Sequence, residues 1–171
     1  MPPEPRRVLA SYLVEAAAAA PGLRWVPPAN LHLTLRFLGW VTPDLVERVS
    51  AGVSEIHEQP FGVRLGAMGT FGGGRVRVVW LGLEEGAEAA GLLAQRLEAV
   101  CRAAGAEPEP RPFRAHLTLA RSRARLGAEL PALPALPGLS GWNADRVLLY
   151  RSRLGAGGAN YEPLLEVRLS P

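Results

Sequence analysis

The chain of 171 residues contains no lysine; all nineteen of its Lys+Arg positions are arginine. That absence excludes a lysine Schiff base, a P-loop lysine and a lysine–nucleotidyl adduct. What remains for anions is guanidinium, which grips phosphate through two parallel hydrogen bonds. Cysteine is almost as scarce. The lone Cys101 cannot close an internal disulfide, so a reducing, cytoplasmic setting is expected. No uninterrupted apolar run reaches the eighteen residues a membrane-spanning helix needs, and no membrane partner is expected. Histidine occurs only three times. With neither H-E-x-x-H nor C-x-x-C present, and only His57 and Cys101 to add to the other two histidines, no metal and no cofactor are expected.

What is present describes an ordinary globular chain. Apolar residues make up 48%, charged residues 20%, and the formal net charge is +3. The length suits a single domain, 1–171, able to bury a core without metal or disulfide staples. RRVLASYLVEAAAAAPG weakly imitates a secretion signal, but Glu15 interrupts it, and Val8, Leu9, Tyr12 and Leu13 recur at helical spacing.

The periodicities predict a helix from Pro5 to Ala20, then a strand through WVPPANLHLTLRFLGWV. A helix follows from Thr42-Pro43 to about His57, with Thr42 as N-cap and Pro43 at the first helical position. Two strands are read in FGVRLGAMGTF and RVRVVWLGL around a glycine loop, and a helix over about 84–104. The remaining strands are FRAHLTLAR, ADRVLLYRSRL and YEPLLEVRLS, the last two joined by GAGGAN. LPALPALPG has proline every third residue and reads as a stiff surface loop. The fold class is α+β, with internal duplication.

The duplication shows in four letters. HLTL occurs at 32–35 and again at 116–119, in a chain whose composition makes both histidine and threonine rare. In a strand, residues two apart share a face, so His32 lies with Thr34 and His116 with Thr118, leucines turned the other way. A single H-x-T is commonly structural, threonine being a good strand former. Two copies with the same flanks point to shared work. With pKa values near 6.5, one imidazole can take a proton while its partner gives one. In-line displacement at a phosphodiester needs both, and the threonine hydroxyls suit its non-bridging oxygens.

WVPPANLHLTLRFLG together with RPFRAHLTLAR resembles the two-histidine (2H) phosphoesterase superfamily, and within it the RNA 2′,3′-cyclic phosphodiesterase (2′-5′ RNA ligase) family. RVRVVWLGL, LLAQRLEAV and the ending RVLLYRSRL…YEPLLEVRLS fall in the same order. The resemblance implies a bilobal, pseudo-two-fold fold, two antiparallel sheets facing across a cleft with helices outside and one H-x-T-x strand on each side. It implies that His32 protonates the leaving 3′-oxygen, that His116 activates water, and that Thr34, Thr118 and Arg121 hold the phosphate. The substrates would be RNA ends or nucleoside 2′,3′-cyclic phosphates, the product a 2′-phosphate, with 2′-5′ joining possible without ATP. A monomer is expected. Alternatives are a phosphodiesterase for 2′,5′-linked oligonucleotides or other cyclic nucleotides, and a non-catalytic RNA-binding module.

Strict alternation would turn Arg121 away from His116, so the strand must bulge or end near Ala120. Phe37, at the equivalent place in the first motif, is a candidate for base stacking or for the core. Arg111, Arg114, Arg121, Arg123 and Arg125 are candidates to guide an RNA backbone. The glycines at 72–74 lack the lysine and following helix of a phosphate cradle and read as a loop. Relatives open with a short apolar strand before the first helix. Here Met1 leads straight into PPEPRRVLASYL, so that strand is expected to be missing and the chain to be marginally stable.

Overall fold

In a computed structural model, described over residues 1–155 and 158–170, the order of elements follows the predicted one closely. Helix α1 spans Pro3–Ala19, β1 Leu23–Trp25, and a 3-10 turn Pro28–Asn30. Then come α2 (Pro43–Ser54), β2 (Phe61–Phe71), β3 (Val78–Glu85), α3 (Ala87–Ala103) and β4 (His116–Ser122). Three strands finish the chain: β5 (Trp142–Ala144), β6 (Arg146–Gly155) and β7 (Gly158–Arg168). The class is α+β with two antiparallel sheets, one five-stranded in the order β1-β4-β3-β2-β5, the other formed by β6 and β7.

Local chemistry explains most boundaries. Thr42 caps α2 by accepting from the Leu45 N–H at 3.4 Å, with Pro43 at the first helical position. That helix ends at Ser54, short of the predicted His57. Helix α3 starts at Ala87, not Glu84, because β3 continues to Glu85 and Gly86 turns the chain at φ 85°. Between β2 and β3, Gly72 (φ 133°) and Gly73 (φ 71°) close the turn, and the Arg77 N–H returns to the Phe71 carbonyl at 2.7 Å. Of the expected GAGGAN connection, Ala156 and Gly157 lie outside the described residues; Gly155 and Gly158 already pair as the ends of β6 and β7.

Two predictions need correction. The first HLTL stretch is not a regular strand: of its residues only Leu33 makes a bridge, to Leu117. The prolines before it force a 3-10 turn, and the extended run after it finds no continuous ladder. LPALPALPG is neither helix nor strand, but it is not merely surface. Leu130, Leu133, Leu136 and Leu139 pack against the first core, because a chain with three residues per turn brings every third side chain to one side.

The chain divides into two compact units, each assembled from three segments. The first comprises Met1–Leu33, Val63–Glu85 and His116–Trp142; the second Thr34–Gly62, Gly86–Ala115 and Asn143–Pro171. In the first, Leu9, Tyr12, Leu13 and Ala16 of α1 pack on Leu23, Leu65, Val79, Leu81, Leu117 and Leu119 of the sheet. Each fully buried leucine here contributes roughly 1.5–3 kcal/mol. In the second, Val49 and Val53 of α2 meet Leu93, Leu97 and Cys101 of α3, with Val147 and Leu169.

Candidate active site

The alternation of β4 is anchored from behind. Leu117 and Leu119 are buried in the first core, which turns His116 and Thr118, both half-buried, to the opposite side of the sheet. Register with β3 then breaks once. Trp80 pairs Thr118 and Gly82 pairs His116, yet Val79 already pairs Ala120 and Val78 pairs Arg121. One step on β3 is matched by two on β4, so the strand bulges at Leu119. Leu119 and Ala120 are both buried as a result, and exposed Arg121 returns to the side of His116 and Thr118. This is the irregularity that Arg121 was expected to require.

The first motif is brought to the same strand. β1 runs antiparallel to β4, pairing Leu23 with Ser122, Arg24 with Arg121 and Trp25 with Ala120. The Val26 N–H still donates to the Leu119 carbonyl at 2.8 Å. Pro27 and Pro28 then interrupt the ladder, and the turn to Asn30 takes up the slack before Leu33 bridges Leu117. One residue before that bridge, His32 stands level with Thr118.

His32 is oriented by its neighbour. Its Nδ1–H donates to the Asn30 carbonyl at 2.7 Å; a carbonyl only accepts, so the neutral ring carries its proton on Nδ1 and presents Nε2 for proton exchange. Burial pushes the pKa of His32 below 6.5, the Asn30 bond opposes this, and the charge of Arg121 pushes it down further.

His116 sits in aromatic surroundings that the sequence reading missed. The Phe71 ring meets it edge-on with centroids 5.2 Å apart and planes at 89°, and Trp80 lies 6.1 Å away at 64°. Phe71 and Trp80 also contact each other at 5.0 Å. Room for the indole comes from glycine: Gly69 pairs with Trp80 on β2, and a Cβ there would overlap the indole carbons. The i, i+2 spacing of Val78, Trp80 and Gly82 was the available signal, but which strand they pair with is not local information.

The other candidates lie in the second unit. Thr34, its first residue, is exposed, and Phe37 is 61% exposed, so the core role for Phe37 is set aside; Leu35 and Leu38 pack on that core instead. Between them, Arg36 pairs with Glu98 at 2.5 Å and Glu109 at 3.7 Å. The expected arginine group divides. Arg111 and Arg114 belong to the second unit, where Arg111 pairs with Glu109 at 2.8 Å, while Arg121, Arg123 and Arg125 belong to the first.

Comparison with known proteins matches one family model, the LigT-like phosphoesterases, twice, over residues 1–80 and 81–161. Each match contains one H-x-T. An RNA 2′,3′-cyclic phosphodiesterase of Aeropyrum pernix is 30% identical over 153 residues, covering 85% of this chain and 86% of its own. The enzyme of that name from Escherichia coli is 32% identical over 141 residues, 82% of this chain and 77% of its own. The crystal structure of Escherichia coli LigT complexed with 3′-AMP superposes with a TM-score of 0.82 at 28% identity, covering 100% of this chain and 94% of that one.

Proposed function

The chain belongs to the LigT-like phosphoesterase family, and from that membership we propose that it opens 2′,3′-cyclic phosphates at RNA ends to leave a 2′-phosphate. The observation that carries the reading is the pairing of the two motif segments, Leu33 bridged to Leu117, which sets two imidazoles and a threonine hydroxyl on one side of one sheet. The names of the relatives, RNA 2′,3′-cyclic phosphodiesterases, support the substrate class.

In this reading His116 takes a proton from water as the oxygen attacks phosphorus. The bond from phosphorus to the 3′-oxygen breaks, and His32 delivers a proton from Nε2 to that oxygen. The 2′-oxygen keeps its phosphorus, so the product is a 2′-phosphomonoester beside a free 3′-hydroxyl. Thr118 and, by the resemblance, Thr34 donate to the non-bridging oxygens, and Arg121 offers guanidinium N–H groups to the same charge. Phe37, exposed in the second unit, is assigned to stack on a base. The proton on His32 comes with the substrate. Burial and Arg121 hold the free ring toward neutrality, whereas an anion beside Arg121 offsets that charge and favours the imidazolium. With a 5′-hydroxyl in place of water, the same displacement forms a 2′-5′ bond without ATP.

The test is a nucleoside 2′,3′-cyclic phosphate incubated with the protein in EDTA. Clean conversion to the 2′-phosphate is expected. Mainly 3′-phosphate would exchange the roles of the two histidines, and no turnover with or without added metal would overturn the reading.

A further inference from the structure

We infer that Arg24 and Arg123, which neighbour Arg121 on the histidine-bearing side of the five-stranded sheet, form a second phosphate subsite that takes the phosphodiester next to the cyclic end of an RNA strand. The inference rests on the reading above and extends it from a mononucleotide site to an oligonucleotide track.

The register places these residues. Arg24 is the direct cross-strand partner of Arg121, and directly opposed residues in an antiparallel pair share a face. Their neighbours confirm which face: Leu23 and Ala120 are buried in the core, Arg24 and Arg121 are exposed. The ladder continues one step further, the Arg123 N–H donating to the Gly22 carbonyl at 3.3 Å, so Arg123 follows Arg121 two residues on along the line begun by His116 and Thr118. Two like charges directly opposed in a sheet destabilise it, and among the described residues no ion pair relieves Arg24, Arg121 or Arg123. Some other arginines do have a carboxylate among the described residues: Arg111 has Glu109, Arg146 has Asp145 and Glu166, and Arg151 and Arg153 share Glu162. An arginine on a short edge strand also serves as a guard against edge pairing. That role accounts for Arg24 but not for its uncompensated partners. An RNA backbone supplies the missing charge. Because the cyclic phosphate closes the 3′ end, every further phosphate lies 5′ of it, and a track leading away from the catalytic histidines is the geometry such a substrate needs.

The experiment compares binding of a single-stranded RNA tetranucleotide ending in a 2′-phosphate with binding of the nucleoside 2′-phosphate, at several salt concentrations. Binding is read directly, so the subsite is judged even if the protein fails to hydrolyse cyclic phosphates. The unsubstituted protein is expected to prefer the tetranucleotide. Arg24→Gln should weaken tetranucleotide binding by about tenfold, more than it weakens the nucleotide, and flatten the salt slope by about 0.7. Arg24→Lys should recover part of the loss, and Arg123→Gln should behave like Arg24→Gln. Arg7→Gln on α1, which covers the opposite side of the sheet, should leave both affinities alone. The free Arg24→Gln protein should melt no lower than the parent, since a like-charge pair has been removed. Equal losses on both ligands, no loss on either, or aggregation of Arg24→Gln with unchanged affinity would each overturn the subsite.

Discussion

At the residue scale, the two imidazoles carry the sharpest expectations. Alanine at His32 or at His116 should lower turnover by about 10²–10⁴, roughly 2.7–5.5 kcal/mol of transition-state stabilisation, while nucleotide binding changes far less. Steady-state kinetics beside equilibrium binding separates the two; near-normal turnover in either variant would remove that histidine from the chemistry. The environment of His32 makes a second prediction. Its folded pKa lies below 6.5, chiefly through burial, whereas the unfolded chain takes up that proton near the ordinary value. The unfolded state therefore binds more protons as pH falls through 6.5, and stability should fall until the folded pKa is passed, then level off. A ring titration by NMR should give a midpoint below 6.5 in the free protein and a higher one with inorganic phosphate. A phosphate-independent midpoint would disconnect His32 from the anion.

At the scale of elements, the sheet holds His116 in place through a close approach. Gly69 on β2 lies under the Trp80 indole, and the indole in turn borders His116. Gly69→Ala should therefore destabilise by roughly 1–3 kcal/mol through overpacking and lower turnover as well, measured by denaturant midpoint, tryptophan emission and kinetics together. A stable variant with unchanged emission would mean that the indole is not held there. Helix α1 offers the opposite case. The Tyr12 hydroxyl is buried against the sheet with no hydrogen-bond partner among the described residues, and burial raises its pKa. Tyr12→Phe removes the unsatisfied group while keeping the ring, so stability should rise by about 1 kcal/mol, with catalysis unaffected. A loss of stability would reveal a partner for the hydroxyl.

At the scale of the molecule, charge is unevenly shared. The first unit holds nine arginines against five glutamates, the second ten arginines against eleven acidic residues. The formal +3 of the chain therefore understates how basic the histidine-bearing unit is. RNA should be drawn to that unit, and kcat/KM for an oligonucleotide should fall more steeply with salt than for a nucleoside 2′,3′-cyclic phosphate, by about 0.7 in log–log slope for each further phosphate held. Identical slopes for the two substrates would mean that the extra arginines do not meet the backbone.

Much of this was legible in the chain itself, for local reasons. Helices followed from apolar spacing and from the Thr42-Pro43 start, the absence of lysine narrowed the chemistry, and the repeated HLTL singled out the histidines and threonines proposed for the site. Even the bulge before Arg121 was implied by the two-residue period of a strand. Other features depended on partners distant in sequence. Trp80 and Phe71 border His116, and Arg24 stands beside Arg121, only because particular strands pair in a particular register. The irregular path of the first motif arises where Pro27 and Pro28 break the ladder and Leu33 regains it, and the lowered pKa of His32 comes from being buried there. Periodicity, caps and composition act within a few residues and can be read in order. Register and burial are set by cores that join segments from both halves of the chain, so they exist only once it has folded.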